Sequence, residues 1–258
     1  MTDSGEGQVP VCLYVIIPAA GQSRRMGGTA SKQFIPIDGI PVLARTLLAF
    51  ENFGLVQKKS GQFDMHGILV TSPESMDEAA KICRDFNITF IENIVEGGTS
   101  RQESVWNGIR ALQGLPRPPE PRDITFIHDG ARCFVDSDIL LRCLDGAREY
   151  GVCAAAIPVK DTIKQVDSPD SRRVAATPDR ATLYTIQTPQ AFLFSLLLES
   201  YMTGQHEKRE ATDDTSLAEM IGLPVYLVDG SYSNIKITTP EDLLWAELLK
   251  TRQKLVLP

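Results

Sequence analysis

The chain has 258 residues, 43% of them hydrophobic and 23% charged, an ordinary globular composition that excludes disordered and fibrous classes and can bury a large core. Its formal net charge of -7 excludes a general nucleic-acid binder, which needs a basic face to neutralise phosphates. Any phosphate site must then be a local basic cluster, and one α/β domain over residues 1–258 is expected.

At the amino end the apolar run 11–18, followed by Ala19-Ala20-Gly21, has the outline of a secretory signal. Asp3 and Glu6 stand where such a signal needs Lys or Arg, and no apolar run approaches the roughly 20 residues of a membrane span. A cytoplasmic protein with no membrane partner is expected. Five cysteines form no C-x-x-C pair, so reduced thiols follow. His66, His128 and His206 lie too far apart in sequence to predict a zinc site.

Strand-like, β-branched runs fall at 12–17, 67–71, 88–92, 124–128 and 152–159, and helical patterns with apolar residues at three-and-four spacing fall at 41–53, 73–86, 101–112 and 136–150. Asp136 reads as a helix N-cap. The alternation implies right-handed crossovers and a mostly parallel sheet flanked by helices, with ligands bound beyond the carboxyl ends of its strands. Segments 57–62 and 116–122 read as exposed loops. The polar, alternating stretch 160–180, with Ser168-Pro169-Asp170-Ser171 at its middle, reads as a hairpin arm too polar to pack on its own core, and so one that reaches a second subunit. A helix from Ala191, a helix over 212–221, strands at 225–228 and 235–238 and a last helix capped by Thr239 complete the order.

The most informative segment is 18–34, PAAGQSRRMGGTASKQF, directly after the first strand. Ala19, Ala20 and Gly21 permit close backbone approach to a ligand, and Arg24, Arg25 and Lys32 put three cations in one loop. A dinucleotide-binding loop fails because Ser23 and Met26 occupy its second and third glycine positions, which also argues against a nicotinamide oxidoreductase; a Walker loop fails because the chain has no Gly-Lys pair. A solvated basic turn is the other reading, but mutual repulsion of three cations at the end of a buried strand calls for an anion.

The loop resembles the signature of nucleotidyltransferases of glycosyltransferase-A-like, Rossmann-like fold, and within them the 2-C-methyl-D-erythritol 4-phosphate cytidylyltransferase family. The resemblance continues in order through Gly97-Gly98-Thr99-Ser100-Arg101-Gln102-Glu103-Ser104-Val105, His128-Asp129-Gly130-Ala131-Arg132, Val159-Lys160-Asp161-Thr162, Asp179-Arg180, Gln187-Thr188-Pro189-Gln190, Thr212-Asp213-Asp214 and Asn234-Ile235-Lys236. Ser31 and Gly130 depart from the proline and alanine common in that family, without removing a charge.

The resemblance implies transfer of CMP from CTP to methylerythritol phosphate with Mg²⁺, in a homodimer that exchanges its arms. It implies Arg25 and Lys32 as transition-state stabilisers, Lys236 on the α-phosphate, and CTP contacts from Ala19, Ala20, Gly21, Gly98, Thr99, Ser104 and Asp129. Asp129 is also the implied metal contact, although Mg²⁺ sits mainly on phosphate oxygens. Arg132, Asp161, Thr162 and Arg180 are the implied sugar-phosphate contacts, Thr162 and Arg180 arriving from the partner subunit. Read without the family, Lys236 is a strand lysine, Asp129 a helix cap, Ser104 a helix serine, and Arg180 a surface partner for Asp179 or Asp161. Two other functions fit less well. A ribitol 5-phosphate cytidylyltransferase is opposed by Gly130-Ala131-Arg132 and Lys160-Asp161-Thr162, and a non-catalytic nucleotide-binding protein by the intact Arg25, Lys32 and Lys236.

Overall fold

Alternate residues of β1 (Leu13–Pro18) enter two different cores: Leu13, Val15 and Ile17 on one face, Tyr14 and Ile16 on the other. A strand covered on both faces must be apolar throughout, and LYVIIP is. In the computed structural model, which describes residues 12–21, 32–206 and 211–250, a short hairpin follows, β2 (Pro36–Ile37) with β3 (Ile40–Pro41). Then come α1 (Val42–Lys59), β4 (Met65–Thr71), α2 (Met76–Asp85), β5 (Ile91–Glu96), α3 (Arg101–Gln113), β6 (Ile124–Ile127), α4 (Ser137–Tyr150) and β7 (Val152–Pro158). The arm holds β8 (Gln165–Val166) and β9 (Val174–Ala176); β10 (Tyr184–Leu193), α5 (Phe194–His206), α6 (Asp214–Met220), β11 (Tyr226–Asp229) and α7 (Pro240–Leu249) complete the described chain.

The central sheet has seven strands in the order β11-β7-β10-β6-β1-β4-β5. All run parallel except β10, which is antiparallel to both β6 and β7. Helices α1, α2 and α4 cover one face through Leu47, Phe50, Ile82 and Leu140; α3, α5 and α6 cover the other through Val105, Ile109, Leu197 and Leu217. Each such side chain removed from water contributes about 1.5–3 kcal/mol. A third, smaller core of Ile37, Val42, Cys133, Phe134, Ile237 and Ala246 ties the carboxyl-terminal segment to the end of β6. Among the described residues no helix is long and apolar enough to cross a membrane.

Asp136 caps α4 as expected, accepting the Ile139 N–H at 2.9 Å. The arm is the expected hairpin: Gln165 pairs with Ala176 and Val166 with Val174. Four expectations need correction. Residues 57–59 are the end of α1 rather than loop, because Lys58 and Lys59 suit the negative end of the helix dipole; the turn waits for Gly61, at φ 69°. The strand expected at 88–92 is shifted to β5, since Asn87 at φ 48° and the Ile88 N–H, bonded to the Cys83 carbonyl at 2.9 Å, belong to the end of α2. Ala191 lies inside β10, not in a helix: Pro189 sits at an irregularity in the pairing, a place where a strand tolerates proline. Residues 235–238 form no strand; the Ile237 N–H bonds the Ala131 carbonyl at 2.9 Å, outside the sheet.

Candidate active site

From β1 the chain builds outward to β4 and β5, then returns through α3 to β6 on the other side of β1. Strand order therefore reverses over β1, and in an open α/β sheet a crevice forms beyond the strands at such a point. The cleft found there is lined by Pro18 to Gly21 from the end of β1, by Lys32 and Gln33, by Glu96 to Arg101 and Ser104 from the end of β5, by Asp129 to Ala131 after β6, and by Lys236 and Thr238.

Two walls are largely backbone. The Ala19 N–H bonds the Val70 carbonyl at 2.6 Å, the Gly97 N–H the Thr71 carbonyl at 2.8 Å, and the Gly130 N–H the Pro18 carbonyl at 3.1 Å. Gly97 presses against the Ala19–Gly21 turn so closely that a Cβ there would stand 2.4 Å from the Ala20 Cβ. Ser100 caps α3 by accepting the Glu103 N–H at 3.0 Å, and Glu103 accepts from the Thr99 N–H at 2.6 Å. Ser104 Oγ accepts from the Gly98 N–H at 3.0 Å and donates to the Ser100 carbonyl at 2.8 Å, which fixes the turn ahead of the helix.

The floor is charged. Asp129, which follows the last residues of the β6 run, is buried and meets three cations: Lys236 Nζ at 2.8 Å, Arg101 Nε at 3.3 Å and Arg132 Nε at 3.6 Å. Burial pushes its carboxyl pKa up, but Arg101, Lys236 and Arg132 outweigh burial and hold it well below the usual carboxylate range. Asp129 is thus no helix cap; that position belongs to Asp136. Arg101 forks onto Asp214, Nη1 to Oδ1 at 2.8 Å and Nη2 to Oδ2 at 2.7 Å. A cleft with backbone walls and cations gathered around the ionised Asp129 at its floor suits a polyphosphate and its sugar.

Residues 13–252 match the family model described as 2-C-methyl-D-erythritol 4-phosphate cytidylyltransferase. The enzyme of that name from Alkaliphilus oremlandii is 40% identical over 242 residues, covering 93% of this chain and 96% of its own. That from Geobacter metallireducens is 39% identical over 242 residues, covering 92% and 97%. The chain belongs to this family of cytidylyltransferases. The fold agrees: the crystal structure of 4-diphosphocytidyl-2C-methyl-D-erythritol synthase from Anaerococcus prevotii superposes with a TM-score of 0.77 at 30% identity, over 95% of this chain and 100% of that one.

The structure of this cytidylyltransferase gathers Ala19, Ala20, Gly21, Lys32, Gly98, Thr99, Ser104, Asp129 and Lys236 around one cleft. Arg25 lies outside the described residues. Arg132 faces inward, donating from Nη1 to the Asn234 carbonyl at 2.8 Å, and does not line the cleft. Asp161, Thr162 and Arg180 are exposed at the base of the arm, with Arg180 Nη1 on the Lys160 carbonyl at 2.7 Å. The arm leaves from the carboxyl end of β7 and re-enters at Tyr184, the same end of the sheet as the cleft. Sequence reasoning did not assign Arg101 and Asp214. Both stand in motifs that carried the resemblance, but they are 113 positions apart, and only folding makes them a pair.

Proposed function

We propose that the chain transfers the cytidylyl group of CTP to 2-C-methyl-D-erythritol 4-phosphate, in the cytoplasm, forming 4-diphosphocytidyl-2-C-methyl-D-erythritol and pyrophosphate. The observation that carries the reading is the Lys236–Asp129 contact, 2.8 Å at the floor of a cleft whose wall, from Pro18 to Gly21, is the backbone that runs on from the end of β1. Family membership over residues 13–252 supports it.

The acceptor is a phosphate whose second ionisation lies at about pH 6, so it arrives as a competent nucleophile and needs no general base. His128 supports that economy: it is fully buried, and burial lowers its pKa to about 4, so it stays neutral. The chemical difficulty is to bring two anions together in line and to stabilise charge growing on the α-phosphate. Lys236 and Lys32, with Arg25, are the cations for this. The backbone of Ala19 to Gly21 and of Gly98 and Thr99, with Ser104, receives the nucleotide, and cytosine fits a pocket walled by backbone.

A divalent cation fits here as one carried by the nucleotide. Among the described residues no three His, Cys, Asp or Glu side chains converge as a protein-built metal site. The ionised Asp129 is the carboxylate at the cleft floor, and it already shares its two oxygens with Arg101 and Lys236. Mg²⁺ bound mainly by phosphate oxygens would supply charge neutralisation at the triphosphate. Asp129 would be its protein contact.

For the acceptor, we assign Arg180 and Thr162 of a partner subunit, with Asp161 beside Thr162. Their exposure at the base of a hairpin on the cleft side of the sheet supports a site shared across a homodimer, and arginine's planar fork suits phosphate. The test is pyrophosphate release from CTP with each of two polyol phosphates. Methylerythritol phosphate should be used at least about tenfold better than ribitol 5-phosphate by kcat/KM. Equal or reversed preference assigns the chain to the ribitol branch, and no release with either makes it a binding protein.

A further inference from the structure

The two oxygens of Asp129 are held differently: Oδ2 meets Lys236 at 2.8 Å and Arg132 Nε at 3.6 Å, whereas Oδ1 takes Arg101 at 3.3 Å. Arg101 is fixed in turn from behind. Beyond its fork on Asp214, the Tyr201 hydroxyl donates to Asp214 Oδ1 at 2.5 Å. The Gln190 side-chain oxygen Oε1 accepts the N–H groups of Asp214 and Thr215 at 2.9 and 3.1 Å, which holds the start of α6 against β10. Asp214 is 1% exposed and Tyr201 0%, and neither lines the cleft, whereas Arg101 does.

We propose that Arg101 is a positioning residue of the transfer reaction: clamped by Asp214 and Tyr201, it sets the plane of the Asp129 carboxylate and so the place of the Lys236 ammonium. The inference rests on the role given to Lys236 above. The physical need is plain. A lysine is a point charge on a flexible four-carbon stem, and a carboxylate held through one oxygen can swing about its bond to Cβ. Engaging Oδ1 with a guanidinium that is itself forked onto a buried carboxylate removes that freedom. Arginine alone among side chains has the donors for it, two terminal nitrogens for Asp214 and Nε for Asp129.

Arg101→Lys keeps the charge, but one ammonium cannot fork onto Asp214 and also reach Asp129. Asp214→Asn keeps the volume and weakens the fork from outside the cleft. Pyrophosphate release at saturating CTP and methylerythritol phosphate is measured for both, for Lys236→Ala, and for each combined with Lys236→Ala. Each single variant should lose about tenfold in kcat with the KM for CTP within about twofold, yet cost less than about twofold more once Lys236 is alanine, because the effect runs through that lysine. Losses that multiply fully in the double variants, or a lowered unfolding temperature with kcat kept, overturn the proposal and leave Arg101 a structural clamp. Should Arg101→Lys not fold, Tyr201→Phe, which deletes only the hydroxyl on Asp214, must still cost about two- to threefold, again through Lys236. A crystal structure of Asp214→Asn separates this inference from the reaction. A displaced Lys236 ammonium is expected whether or not the wild type turns over, and an unmoved one overturns the positioning role; a wild type that releases no pyrophosphate overturns the reaction instead.

Discussion

The Thr188 hydroxyl joins the neighbours His128 and Asp129: its oxygen accepts the Asp129 N–H at 3.1 Å, and its proton goes to His128 Nδ1, also at 3.1 Å. The direction follows from the far side of the ring, where Nε2 faces the Arg132 carbonyl at 3.0 Å and must carry the proton. A threonine of β10 thereby holds the backbone of the cleft-floor carboxylate.

Thr188→Val keeps the shape and deletes that relay, leaving a buried N–H and a buried ring nitrogen without partners. A loss of about 1–3 kcal/mol in stability is expected, read as a lower urea midpoint at unchanged slope. An unchanged midpoint would show that water replaces the hydroxyl.

Acid should destabilise the fold through His128. Burial lowers its folded pKa from 6.5 to about 4, so between these values the unfolded chain takes up a proton that the folded chain refuses. Stability is therefore full above about pH 6.5 and falls as pH drops towards 4, by about 2–3 kcal/mol at pH 4.5. Urea unfolding at pH 7 and pH 4.5, repeated on His128→Gln, checks the sign: the variant should lose most of the difference.

Lys236→Ala and Lys32→Ala should each lower kcat about a hundredfold or more with folding intact, since fixed cations act on charge that develops in the transition state. Near-normal turnover with an unchanged circular dichroism spectrum would reduce them to surface cations.

Gly97→Ala tests the nucleotide wall. The new Cβ would stand 2.4 Å from the Ala20 Cβ and 2.9 Å from Ser104 Oγ, so the turn after β1 must move away. A rise of about tenfold or more in the KM for CTP is expected, with a smaller change for the acceptor. Equal changes for both substrates would mean that the wall does not receive the nucleotide.

A site shared between subunits predicts rescue. Lys32→Ala and Arg180→Ala homodimers should both be nearly inactive, whereas refolding equal amounts together makes about half the dimers mixed, each with one intact site. Activity should return to about a quarter of wild type. Recovery no greater than the average of the two variants would assign Arg180 to its own chain.

The sequence by itself determined the layered α/β architecture, because apolar period and strand alternation are local: LYVIIP reads as a doubly covered strand before any fold is known. It also determined most of the cleft, since Ala19, Gly21 and Asp129 closely follow strands whose carboxyl ends must converge, and Lys32 belongs to the segment that follows the first of them. Local signals failed where a neighbour decided the outcome. Residues 184–193 became β10, with Ala191 inside it rather than opening a helix, because β6 and β7 offer two unpaired edges between them. Residues 235–238 look like a strand but find no edge, and are held instead by Ala131 and the small core around Ile237. Only the tertiary structure could turn Arg132 inward, or set Arg101 between Asp129 and Asp214. An ion pair bridging 28 and 113 positions leaves no periodicity to read, and comes into being only when α3, β6 and α6 pack at one end of the sheet.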